Sequence, residues 1–142
     1  MGARMDESKE RAFSLLRKAR EDCHAAACLA ADADTSLWTV GFHAQQAVEK
    51  ALKAALMWRR VRYPFTHDIA ALLKLAQQEG LQLPDQSEDM PYLTPFGTLF
   101  RYEDEQWGLS ESLTQEQFLD WAEKAIQWAG SIVEGKDRKS TR

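Results

Sequence analysis

Residues 36–60 carry apolar positions at helical period with a polar strip running between them, and this combination restricts the fold more than any other feature of the chain. Trp38, Phe42, Val48, Leu52, Ala55 and Leu56 recur near helical spacing and are expected to face a core. His43, Gln46, Lys50 and Lys53 follow one another at steps of three, four and three, which places them on a face of their own. A helix patterned this way belongs at the centre of a helical assembly, where its polar groups need partners if they are buried. Glu49 precedes Lys53 by four residues, the favourable orientation for a helical ion pair. Gly41 inside the same helix costs about 1 kcal/mol relative to alanine, so a close backbone approach by a neighbour is expected there.

The flanking segments read as further helices. Residues 5–31 contain no proline or glycine, and Phe13, Leu16, Cys23, Ala27 and Ala30 trace most of one apolar stripe. Asp34 or Thr35 can cap the second helix. Pro64 lacks an N–H and biases Tyr63 away from helical backbone, so the second helix must end before it. Thr66 is the expected N-cap of a third helix that begins at His67 or Asp68, carries Ile69, Leu72, Leu73 and Ala76 inward, and stops at Gly80. Residues 80–95 read as a surface loop with a helical turn near Pro91, followed by a short helix through Phe96, Leu99 and Phe100. Thr114 and Gln117 form a capping box for the last helix, whose stripe is Phe118, Trp121, Ala125, Trp128, Ala129 and Ile132, with Gly135 as its end. No strand-like alternation and no internal repeat occurs. The expected fold is all-α, an up-and-down bundle of four main helices plus one short helix. One domain is expected over residues 1–142, with a core at about 5–134 and a frayed basic tail at 135–142.

Composition narrows the function classes. The 44% hydrophobic and 28% charged content is that of a globular protein, and no apolar run approaches the roughly 20 residues that span a bilayer. The N-terminus lacks the apolar segment of a signal peptide, so a cytoplasmic protein without membrane contact is expected. Cys23 and Cys28 stand on different faces of the first helix and are expected to be reduced, packed thiols. His24 and His43 belong to no metal-ligand pattern, so neither a metal nor another cofactor is expected. The net charge of −4 argues against nucleic-acid binding by the whole surface. Lys50, Lys53, Arg59, Arg60 and Arg62 nevertheless concentrate positive charge around the end of the second helix.

Three separated motifs, FHAQQAVEKALKAAL at 42–56, PFTHDIAALL at 64–73 and RY at 101–102, together resemble the HEPN family of small helical-bundle proteins. The matching positions are Gln46, Ala47, Glu49 and Lys50; Thr66, His67 and Asp68; and Arg101 and Tyr102. The resemblance implies a bundle that commonly forms a homodimer. It also implies a protein often encoded beside a minimal nucleotidyltransferase, as the toxin half of a toxin–antitoxin pair. Members with established activity are ribonucleases that use Arg-x4–6-His, generally ahead of the last long helix. Here the arginine in that place is Arg101, with Gln106, Trp107 and Gly108 at the histidine spacing. The R-x4-H spacing occurs instead at Arg62 and His67.

Each candidate has a structural and a functional reading. His67 is either a residue at a helix start that bonds its surroundings or a general acid–base for RNA cleavage, with Arg62 or Arg101 stabilising charge on the phosphate. Glu49, Lys50 and Lys53 are either an ion-paired helix face or an anion site, extended one turn by His43 and Gln46. Arg101 and Tyr102 either pair structurally with acids or complete a pocket with His67 and the helical strip. The leading expectation is a binding protein for nucleotide or RNA phosphate that partners a nucleotidyltransferase. A metal-independent endoribonuclease toxin is the alternative, and a purely structural interaction domain is the third reading.

Overall fold

A computed structural model describes residues 6–97 and 112–135. It contains α1 (Glu7–Ala30), α2 (Leu37–Trp58), α3 (Ile69–Gln78), a 3-10 helix (Met90–Gly97) and α4 (Gln115–Val133), and no strand among the described residues. The fold is all-α, with four main helices and one short one. The helix α2 packs against all four other elements and α1 also meets α4, so α2 is the axis of the bundle.

Alanine builds the α1–α2 seam. Ala12, Leu16, Ala19 and Ala26 are buried on α1, and Ala44, Ala47, Ala51, Ala54 and Ala55 are buried on α2. Small side chains at facing positions let two helices approach closely, which leaves little water around any polar group on the seam. The α1 stripe therefore runs through Ala26, and Ala27 is exposed. Phe13 is half-buried and packs edge-on against Trp58. Cys23 is half-buried, whereas Cys28 is exposed rather than packed, with its Sγ 3.5 Å from His24 Nε2. Phe42 is half-buried, and the other apolar residues expected of α2, Trp38 among them, are buried.

Gly41 is closely approached, by an aromatic ring rather than a backbone. A Cβ there would lie 2.6 Å from Phe96 Cδ1 and 3.1 Å from Phe118 Cε2. Phe96 comes from the 3-10 helix, where Met90, Leu93 and Phe96 are fully buried. The end of the expected surface loop is thus a core element. Its period of three aligns those residues on one side, as a 3-10 helix requires. The helical turn expected near Pro91 is this 3-10 helix, and the short helix expected through Leu99 and Phe100 falls on positions outside the described residues.

Helix ends follow local chemistry, with some shifts. Ser36, not Asp34 or Thr35, caps α2 by accepting from Thr39 N. The helix α2 ends at Trp58, five residues before Tyr63. Arg60 adopts φ 62°, and the Val61 and Arg60 amides return to Leu56 and Met57 carbonyls. This is a Schellman end made without glycine, so Pro64 is not what stops the helix. Asp68 rather than Thr66 caps α3, accepting from Ala70 N. Gly80, at φ 87°, closes α3 with the same motif, and Leu81 N bonds Ala76 O. The Thr114–Gln117 capping box is complete at the start of α4. At its other end, Glu134 binds Arg20 through both carboxylate oxygens, at 3.1 and 2.9 Å, joining α4 to α1. None of the helices among the described residues is long and apolar enough to cross a membrane.

Candidate functional site: a buried carboxylate holding an exposed imidazole

The polar strip of α2 divides into two groups. One faces α1, where Lys50 Nζ lies 2.6 Å from Asp22 Oδ2 and His43 Nδ1 lies 3.7 Å from Asp22 Oδ1. His43 Nδ1 is buried and makes no hydrogen bond among the described residues. The other group is centred on Glu49, whose side chain is 7% exposed. Gln45 Nε2 donates to Glu49 Oε1 at 2.6 Å, and Lys53 Nζ donates to Oε2 at 2.8 Å. Gln46 Nε2 donates to Gln45 Oε1 at 2.8 Å, which satisfies the buried amide on its other side. The ion pair anticipated from the spacing of Glu49 and Lys53 is present. Gln45 was not among the expected site residues, yet it is fully buried. Its signal was the four-residue step to Glu49, which puts both on one helix face.

His67 reaches this group from outside α2. Its Nδ1 lies 3.2 and 3.0 Å from the two Glu49 oxygens. Local chemistry holds it there: Thr66 Oγ1 accepts from Asp68 N, Asp68 caps α3, and Thr94 Oγ1 accepts from Ile69 N across the bundle. Lys53 Nζ also sits 5.5 Å from the centre of the Tyr63 ring, so the chain between α2 and α3 lies over the network. Burial by itself pushes the Glu49 carboxyl up. The hydrogen bonds from Lys53 and Gln45, the Lys53 charge and the His67 contact outweigh it and hold the carboxyl below its ordinary value. Burial also raises the Tyr63 hydroxyl, opposed by the Arg11 charge and helped to a smaller extent by the Glu49 charge.

The pattern of 12–137 matches the HEPN domain family. The chain belongs to the HEPN domain family. No match was found among curated proteins or solved structures. In this HEPN domain the family-like positions Gln46, Glu49 and His67 fall within one hydrogen-bonded network, and Lys50 belongs to the Asp22 group beside it. Arg62 is exposed and joins none of these contacts. Arg101 and Tyr102 lie outside the described residues. Among the described residues there is no group of three or more His, Cys, Asp or Glu side chains placed to hold a metal. An open cleft of about 220 Å³ between the 3-10 helix and the start of α4, lined by Asp89, Tyr92 and Trp121 among others, shares no residue with the network.

The arrangement has a clear chemical asymmetry. Lys50 and Lys53 already face carboxylates, so their charge is neutralised within the protein. The His67 side chain is 65% exposed while Nδ1 is held by a carboxylate that is itself buried. A neutral imidazole donating Nδ1–H to Glu49 keeps Nε2 as an acceptor, and the charged imidazole offers Nε2–H as a donor.

Proposed function

We propose that this HEPN domain handles the phosphate of RNA or a nucleotide, with His67 as the group that meets it. The observation that supports this reading is an exposed imidazole oriented through Nδ1 by the buried Glu49. His43, Gln46, Glu49, Lys50 and Lys53 act as the scaffold that fixes α1, α2 and the imidazole. Family membership supports the further reading that the protein partners a minimal nucleotidyltransferase as a toxin–antitoxin component, and that it works as a homodimer. An adjacent nucleotidyltransferase reading frame and co-purification of its product test the partner. A monomeric mass by light scattering at tens of micromolar would remove the dimer.

The orientation of His67 also favours a second reading, as a metal-independent endoribonuclease. A ribose 2′-hydroxyl would attack the adjacent phosphorus while His67 Nε2 takes its proton, and the P–O5′ bond would break to leave a 2′,3′-cyclic phosphate and a 5′-hydroxyl whose oxygen takes a proton from water. Glu49 would hold the imidazole tautomer, as a carboxylate does beside a catalytic histidine. Arg62 or Arg101 would stabilise the charge on the phosphoryl oxygens. RNA incubated with the protein in EDTA separates the readings. Cyclic-phosphate ends that disappear in His67→Ala select the nuclease. RNA binding lost in the same variant without cleavage selects the binding protein. Neither effect leaves a structural interaction domain.

A further inference from the structure

Phe65 is 95% exposed, next to a buried network and three residues after the basic stretch that ends at Arg62. Its ring centre lies 5.8 Å from that of His67, at an interplanar angle of 64°. The segment carrying it is fastened at both ends, by the Schellman bonds of Arg60 and Val61 and by the Thr66 and Asp68 bonds at the start of α3. Arg60 is tied to Asp6, but Arg59 and Arg62 are exposed and make no ion pair among the described residues. A large apolar ring is therefore held out to solvent, at a set distance from an imidazole with an available nitrogen, on a segment that also carries two exposed guanidinium groups.

We propose that Phe65 is a stacking platform for an unpaired base, and that the ligand of this site is single-stranded RNA. The proposal rests on the reading of His67 as the phosphate-contacting group. A base lying on Phe65 places its own ribose and phosphate within reach of His67, while Arg59 and Arg62 follow the neighbouring phosphates. Stacking needs only one exposed ring because every base has a π face. A protein interface needs a contiguous apolar patch around its anchor, but Val61 and Tyr63 pack against the core, and Arg62, Thr66, His67 and Asp68 are the polar residues near Phe65 in the chain. A duplex keeps its bases stacked inside the helix and cannot offer one to Phe65.

The test is fluorescence anisotropy of a fluorescein-labelled oligoadenylate, alone and annealed to its complement, with the full chain. Wild type binds the single strand more tightly than the duplex. Phe65→Ala weakens single-strand binding about 5- to 100-fold while its far-UV circular dichroism and melting midpoint match wild type. Phe65→Trp retains binding, and the added emission is quenched by RNA, a signature that charge alone does not produce. Arg62→Ala weakens binding and lowers its salt dependence. The proposal is overturned if Phe65→Ala binds like wild type, if the Phe65→Trp emission is unchanged, or if duplex is preferred. Binding lost in His67→Ala but unchanged in Phe65→Ala would leave the phosphate reading standing and remove this one. If wild type binds no RNA, both fall. A change of mass in Phe65→Ala with unchanged RNA affinity would make Phe65 a self-association contact and overturn the proposal.

Discussion

Replacing Glu49 by glutamine removes one charge while keeping the shape of the side chain. The amide keeps one acceptor oxygen in place of two, but Lys53, with a side chain only 12% exposed, loses its counter-charge. Breaking a buried pair by removing one partner costs about 3–5 kcal/mol. The remaining acceptor and the partial exposure of Lys53 reduce this to about 2–4 kcal/mol, since a hydrogen bond to a charged group contributes about 1.5–3 kcal/mol. For a chain of this size that lowers the melting midpoint by roughly 6–12 °C. The penalty depends on pH with a definite sign. Glu49 has a folded value below its ordinary 4.5, so the unfolded chain binds more protons across that interval. The stabilisation is fully present above the ordinary value and is lost as pH falls through the lowered one. Urea unfolding of wild type and Glu49→Gln should therefore differ most near neutral pH and converge as the pH falls through the lowered Glu49 value. Adding Lys53→Met to Glu49→Gln should recover part of the loss, because it removes the stranded ammonium. A difference under about 0.5 kcal/mol at neutral pH, the size of a surface substitution, or one that does not change with pH, would refute the reasoning.

Other expectations concern the frame that holds the site. Gly41→Ala gains about 1 kcal/mol of helix propensity but forces the buried Phe96 ring aside, an overpacking cost of about 1–3 kcal/mol. Chemical denaturation should show net destabilisation, and a raised midpoint would contradict the close approach of Phe96. Thr114→Ala removes the α4 capping box and should cost about 1 kcal/mol, with faster hydrogen exchange at the Gln117 amide as the local readout. Gly80→Ala places a side chain at φ 87° and should cost about 1 kcal/mol, even though nothing lies within 4 Å of the added atom. An unchanged midpoint would show that the end of α3 relaxes.

What could be read in advance depended on how local the signal was. The Thr114–Gln117 box and the Gly80 stop are complete within a few residues, and both stand in the structure. The α1 stripe passes through Ala26 and not the expected Ala27, because a run of alanines has little amphipathic contrast. Arg60 gave no warning that it would take a left-handed conformation, since glycine usually does so. Met90, Leu93 and Phe96 did carry a signal, a period of three, beneath the prolines that suggested a surface loop. At the site, the Glu49–Lys53 pair was visible because both partners lie one turn apart on one helix. The His67–Glu49 and Lys50–Asp22 contacts join separate elements, so the strip's division into two groups emerged only from the tertiary arrangement.

The central claim is that Glu49 fixes one nitrogen of His67 so that the other meets phosphate. Long-range proton–nitrogen NMR of the imidazoles, with the His67 signals assigned from their loss in His67→Ala, tests it most directly. In the neutral form the proton should reside on Nδ1, and single-stranded RNA should shift Nε2. A proton on Nε2, with both nitrogens indifferent to RNA, would contradict the account.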